Sequence, residues 1–124
     1  MNKLPISVCM ISGAEAHRIG VSLKSVADWT SEIVVVLNED VSDGTDRVAA
    51  QYGARVHREP WKGHIEQKDS ALGKAAQPWI LGLDSDEIVS DELRRSIIAL
   101  FQNETALARY SAFNFPRCSF CCGR

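Results

Sequence analysis

The sequence reads as an α/β protein, a largely parallel sheet with helices on both faces. Three observations carry that reading. Strand-like and helix-like stretches alternate along the chain in the order βαβαβαβαβ. The run Ile33-Val34-Val35-Val36-Leu37 has no polar break, the pattern of a strand covered on both faces. A second apolar run, Trp79-Ile80-Leu81-Gly82-Leu83, passes at once into Asp84-Ser85-Asp86-Glu87, so three carboxylates gather where a strand ends.

Each element has its own signal. Ile6 to Ile11 is the first strand, closed by a turn at Ser12-Gly13. Ile19, Leu23 and Val26 then recur on one face of an amphipathic helix. Ile33 to Leu37 is the second strand, and Asn38 to Gly44 is polar turn chemistry. A short helix through Val48 and Tyr52 stops at Gly53, a residue suited to the left-handed position after a helix. Ala54 to His57 is a third, shorter strand, and His64 to Ala76 a helix that ends before Pro78. After the strand Trp79 to Leu83, Ser90 caps a helix with Asp91 and Glu92 in its first turn. Leu93, Ile97, Leu100 and Phe101 give that helix its buried face, and Ser111 to Phe115 is the last strand. No helix follows to cover it, so the chain is expected to be the front of a longer domain, residues 1–124 being its binding half.

Composition sets limits on function. At 124 residues, 45% hydrophobic and 24% charged, the chain can fill one domain core. A net charge of -2 exerts no general pull on nucleic acid or on an anionic membrane. Met1-Asn2-Lys3-Leu4-Pro5 lacks the form of a signal peptide, so a cytoplasmic location is expected. Cys9 lies in an apolar strand and reads as a small core residue. Cys118-x-x-Cys121 has zinc-ligand spacing, but no second pair follows, and His17, His57 and His64 are scattered. Cys118, Cys121 and Cys122 therefore read as reduced thiols on a short tail.

In an open parallel sheet, ligands bind outside the carboxyl ends of the strands. The first strand delivers Ser12, Gly13 and Glu15 to that edge. The second delivers Asn38, Glu39, Asp40 and Asp43, and the fourth Asp84, Asp86 and Glu87. So many acids repel one another unless a divalent cation and a ligand use them. Arg58, Lys62 and Lys68 offer positive charge to phosphates, and Gly63 lets their segment approach closely. Plainer roles exist for several of these. Asp43-Gly44-Thr45 is foremost a turn and helix start, Glu15 a first-turn acid, Lys68 a solvated charge and Trp61 a packing residue.

Leu83-Asp84-Ser85-Asp86-Glu87 matches the "DxD" strand end of family 2 glycosyltransferases, which have the GT-A fold and use nucleotide-sugar donors. The chain resembles the nucleotide-binding half of that family from Ile6 to about Phe115. Ile6 to Glu15 is similar to its first strand and nucleotide-contacting loop, and Ile33 to Thr45 to its second strand and "VVDxGSxDGT" stretch. Trp61-Lys62-Gly63-His64-Ile65-Glu66-Gln67-Lys68 most resembles the bacterial enzymes of lipopolysaccharide core assembly. Acidic strand ends also suit a receiver-like domain, but this segment argues against one.

The resemblance implies a Rossmann-like, mainly parallel GT-A sheet and an inverting, metal-dependent sugar transfer. It implies that Asp84 meets the ribose or metal-bound diphosphate, that Asp86 ligates Mn²⁺ or Mg²⁺, and that Ser12 and Glu39 lie with them at the donor. Glu15 and Asn38 would border uracil and ribose, and Lys68 would hold the donor. The implied partners are a nucleotide sugar, most simply a UDP-sugar, and a glycan or lipid-linked acceptor met at the inner face of the inner membrane. Two positions depart from the family pattern. Gly13-Ala14-Glu15 replaces its usual Asn-Glu, and Asn38 replaces an Asp that reads uracil, keeping hydrogen bonds but no charge. Inversion needs a base, and the carboxylates after Glu87, namely Asp91, Glu92 and Glu104, lie at helix ends. The base is expected beyond residue 124, which leaves a binding-only fragment as the alternative. Phe113, Phe115 and Phe120 are expected to form an exposed apolar edge open to self-association.

Overall fold

The four strands expected up to Leu83 pair side by side, as a computed structural model shows for residues 3–103 and, at the level of backbone, 112–115 and 118–122. The strands are β1 (Leu4–Ser12), β2 (Thr30–Asn38), β3 (Arg55–Glu59), β4 (Trp79–Gly82), β5 (Ala112–Phe115) and β6 (Cys118–Cys122). Four helices join or follow them: α1 (Ile19–Ala27), α2 (Thr45–Gln51), α3 (His64–Gly73) and α4 (Asp91–Gln102). The sheet order is β3-β2-β1-β4-β6-β5. β1 pairs in parallel with β2 and β4, and β2 with β3. The chain thus leaves β1 on one side and returns on the other, opening a switch-point crevice at the carboxyl ends of β1 and β4.

Alternate strand residues build two cores, because successive side chains face opposite ways. Ile6, Val8 and Met10 of β1 join Ile33, Val35 and Leu81 against Ile19, Leu23 and Val26 of α1 and Ile97 of α4. On the other face Cys9, Val36 and Ile80 meet Ala71 of α3 and Ala75. Cys9 is therefore the small core residue that its neighbours predict. Leu93 and Phe101 of α4 pack at the margin of the first core, and the Ser90 hydroxyl caps α4 by accepting from Leu93 N–H at 3.1 Å. α2 stops at Gln51, and Gly53 takes φ +82° after it.

Three expectations need correction. Cys118–Cys122 is not a tail: it forms β6, antiparallel to β4, with Trp79 opposite Cys122 and Leu81 opposite Phe120. The strand expected at 111–115 does not extend the parallel set. β5 pairs antiparallel with β6 at the sheet's edge, because the two-residue link between them allows only an antiparallel hairpin. α3 ends at Gly73 rather than Ala76, where Lys74 and Ala75 close tight turns onto Ala71 and Leu72. The expected exposure of Phe113, Phe115 and Phe120, and the position of Glu104, lie outside the described residues. Among the described residues no helix is long and apolar enough to cross a membrane.

Candidate functional site

The crevice at the carboxyl ends of β1, β2 and β4 is a cleft of about 450 Å³. Of the residues predicted from sequence, Ser12, Glu15, Asn38, Lys68, Asp84 and Asp86 all line it. Glu39 does not. It turns away after β2, where its backbone N–H donates to Glu59 O at 2.9 Å, and its side chain is exposed.

The β4 end is a hydrogen-bonded turn. Leu83 N–H still donates to Cys9 O at 3.2 Å, holding the chain to β1 for one residue past the strand. Glu87 Oε1 then accepts from Asp84 N–H, and Glu87 N–H donates to the Asp84 carbonyl. That carbonyl also accepts from the Ser22 hydroxyl of α1 at 3.3 Å. With Glu87 so engaged, the Asp84 and Asp86 carboxylates are left facing the cleft, both exposed. Lys68 Nζ, from α3, stands 3.8 Å from Asp84 Oδ1. Lys68 is thus more than a solvated charge; it faces the acid turn across the cleft.

The β1 end is tied to the loop after β2. Asp43 accepts from Ala16 N–H at 3.2 Å, from Thr45 N–H at 3.1 Å and from the Thr45 hydroxyl. The Thr45 hydroxyl, with those backbone donors, holds the Asp43 carboxyl below its ordinary range. Asp43 is therefore the turn and helix-start residue its sequence context predicts. The Thr45 hydroxyl oxygen accepts in turn from Glu15 N–H at 3.0 Å, which fixes Glu15 at the cleft. The Asn38 Oδ1 atom is buried at the cleft wall without a hydrogen-bond partner among the described residues, an acceptor left for an incoming N–H or O–H donor.

Two of the cations expected to serve phosphate are engaged elsewhere. Arg58 clamps the β2–α2 loop, donating to Val41 O at 2.7 Å and Glu39 O at 3.2 Å and pairing with Asp46 at 3.0 Å. Lys62 pairs with Glu59 at 3.0 Å. Neither lines the cleft. Sequence reasoning missed Arg18, which does. Its guanidinium makes a bidentate pair with Glu15, the second contact at 2.9 Å, and that bond holds the Glu15 carboxyl below its ordinary range against partial burial. The three-residue spacing of Glu15 and Arg18 was the available signal. Trp61 and His64 also line the cleft, their rings edge to face with centroids 4.9 Å apart, so Trp61 does not pack into the sheet.

The chain belongs to glycosyl transferase family 2, whose model matches residues 7–117. It is 36% identical over 108 residues to an uncharacterized glycosyltransferase of Rickettsia prowazekii, covering 87% of this chain and 36% of that protein. It is 34% identical over 97 residues to the lipopolysaccharide core biosynthesis glycosyltransferase LpsC of Rhizobium meliloti, covering 74% of this chain and 35% of LpsC. The chain thus spans about a third of the length of these relatives. Its fold is shared with S. aureus TarS in complex with UDP-GlcNAc, at TM-score 0.69 and 22% identity over 82% of this chain and 32% of that one. It is shared too with the mannosyltransferase PcManGT from Pyrobaculum calidifontis in complex with GDP-Man and Mn²⁺, at TM-score 0.69 and 16% identity over 96% and 44%. The sheet is of the GT-A type.

Proposed function

We propose that this chain is the donor-binding part of an inverting, metal-dependent glycosyltransferase that moves a sugar from a nucleotide sugar, most simply a UDP-sugar, onto a bacterial glycan or lipopolysaccharide core acceptor. One observation carries the reading: Asp84 and Asp86 face a cleft that also holds Ser12, Glu15, Asn38 and Lys68. LpsC supports the acceptor class by its name, and TarS and PcManGT support the donor class by their ligands. The whole enzyme would work in the cytoplasm, at the inner face of the inner membrane.

Each residue has a task in this reading. Asn38 and Glu15 take hydrogen bonds from base and ribose, and Ser12 closes the floor beneath them. Lys68 faces the diphosphate. Asp86, with Asp84, would hold Mn²⁺ or Mg²⁺, for which carboxylate oxygens are the fitting donors. Among the described residues no group of three or more His, Cys, Asp or Glu converges, so phosphate and water would have to supply the cation's remaining ligands. When bound, such a cation stabilises the negative charge that develops on the leaving diphosphate.

A binding-only role for this chain is the second reading. Of the acids on the cleft, Glu15 is paired with Arg18 and Asp84 faces Lys68, while Asp91 and Glu92 open α4 away from it. Calorimetry with UDP and UDP-glucose, with and without Mn²⁺, tests the donor site. The expected result is Mn²⁺-dependent binding that Asp86→Ala weakens by about tenfold or more, the loss of one charged ligand. No binding by folded wild-type protein would end the proposal. Turnover with a lipopolysaccharide core acceptor would end the binding-only reading.

A further inference from the structure

We propose that Arg18 is a diphosphate-binding residue, held in waiting by Glu15 and transferred to the ligand's diphosphate when a nucleotide sugar enters. The inference rests on the donor-site reading above and adds a residue to it.

Arg18 precedes α1, where its backbone N–H donates to Glu15 O at 3.0 Å, so its place at the cleft is fixed by the chain. Its side chain is 49% exposed and lines the cleft. The pair with Glu15 uses Nε and Nη2, two of the nitrogens that carry the guanidinium's five N–H bonds, and leaves donors free. Arg18 thus shares the cleft lining with Glu15, which the donor-site reading sets at the nucleoside, and with Asp86, which it sets at the metal. A diphosphate bound in this cleft comes within the reach of both side chains that carry positive charge there, Arg18 and Lys68.

The charges on the cleft point the same way. Glu15, Asp84 and Asp86 outnumber Arg18 and Lys68, so an anionic ligand needs every cation the lining offers. The Arg18 side chain is half exposed, so its guanidinium can swing from Glu15 to a ligand without leaving the cleft. The flat guanidinium fork binds phosphate oxygens bidentately and without loss of charge. The exchange also releases the Glu15 carboxylate to accept a ribose or base hydrogen bond. Phosphate and nucleoside binding are thereby coupled.

Calorimetry with inorganic pyrophosphate, uridine and UDP, each with Mg²⁺, tests this on the full chain. Arg18→Ala is expected to weaken pyrophosphate and UDP by about tenfold without weakening uridine, whose Glu15 acceptor it frees, while Arg18→Lys recovers part of the loss. Glu15→Gln is expected to tighten pyrophosphate by about threefold, because the waiting partner has lost its charge. Lys24→Ala, an exposed cation of α1 outside the cleft lining, should change nothing. Pyrophosphate affinity within about twofold of wild type in Arg18→Ala overturns the proposal, as does an equal loss in Lys24→Ala. A flat response in Glu15→Gln overturns the exchange. Wild-type protein that binds no UDP removes the donor site itself, a different failure from an indifferent Arg18.

Discussion

Asp84 and Glu87 are bonded to each other twice: Glu87 Oε1 accepts from Asp84 N–H at 2.9 Å, and Glu87 N–H donates to Asp84 O at 2.9 Å. The two bonds close the turn that carries Asp86 at its crest. Glu87 is the acid that its position beside the other two disguises, since it organises the turn instead of facing a ligand. Glu87→Ala is expected to weaken Mn²⁺-dependent UDP binding several-fold, about 1 kcal/mol, while Glu87→Gln, whose amide oxygen also accepts, retains most of it. Equal losses in both variants would show that charge, not turn closure, is what Glu87 supplies. Calorimetry on the two proteins reads the difference.

A second group of bonds fastens β3 to α3. Glu59 accepts from Lys74 at 2.7 Å, Ser70 at 2.7 Å and Lys62 at 3.0 Å. Those bonds, Lys74 foremost, lower its carboxyl from an ordinary 4.5 to about 2. A carboxyl depressed by folding stabilises the fold fully above its ordinary value and loses that contribution as pH falls toward the folded one. Wild type should therefore lose this contribution between pH 4.5 and about 2. Glu59→Gln should be less stable at neutral pH by about 1–2 kcal/mol and converge with wild type in strong acid. Urea unfolding of both proteins across that range checks it; parallel curves would refute the assignment.

Gly63 takes φ +103° and ψ 159° immediately before α3, a region essentially closed to residues with a Cβ. Open space surrounds the position, so the cost of a side chain there is backbone strain alone. Gly63→Ala is expected to destabilise the protein by about 1–3 kcal/mol and to disturb Trp61, His64 and Lys68, which flank it at the cleft. Thermal unfolding gives the first effect and quenching of Trp61 fluorescence by iodide the second. A Gly63→Ala protein of wild-type stability would show that the segment relaxes.

The parallel half of the fold was legible because β1, β2 and β4 are apolar runs and α1 and α4 show clear 3.6-residue faces. β6 was not. Its Cys118-Ser119-Phe120-Cys121-Cys122 holds one large apolar residue, and thiols so close together suggest chemistry before they suggest pairing. The cleft was legible where residues follow strand ends directly, as Ser12, Asn38 and Asp84 do. It was illegible where cations choose partners in three dimensions. Arg58, Lys62 and Lys68 look alike in sequence, yet only Lys68 reaches the cleft, because Arg58 finds two carbonyls and Asp46 and Lys62 finds Glu59. The fold alone could not select the chemistry either.

The central position of β1 has a consequence for the order in which the protein assembles. Ser7 meets Glu32 across 25 residues of chain but Gln77 across 70, so one flank of β1 closes early and the other late. Closing the longer loop costs more chain entropy, and contacts of that span slow the search for the native state. The nascent chain can therefore pair β1 with β2 while Asp84 and Asp86 are still unplaced. The cleft wall at Ser12 and Asn38 is built first, and the acid turn arrives with β4. A chain stalled between the two stages would present the apolar flank of β1 with nothing beside it, a template for another chain's strand. The step that completes the cleft is thus the same step that protects the protein from aggregation.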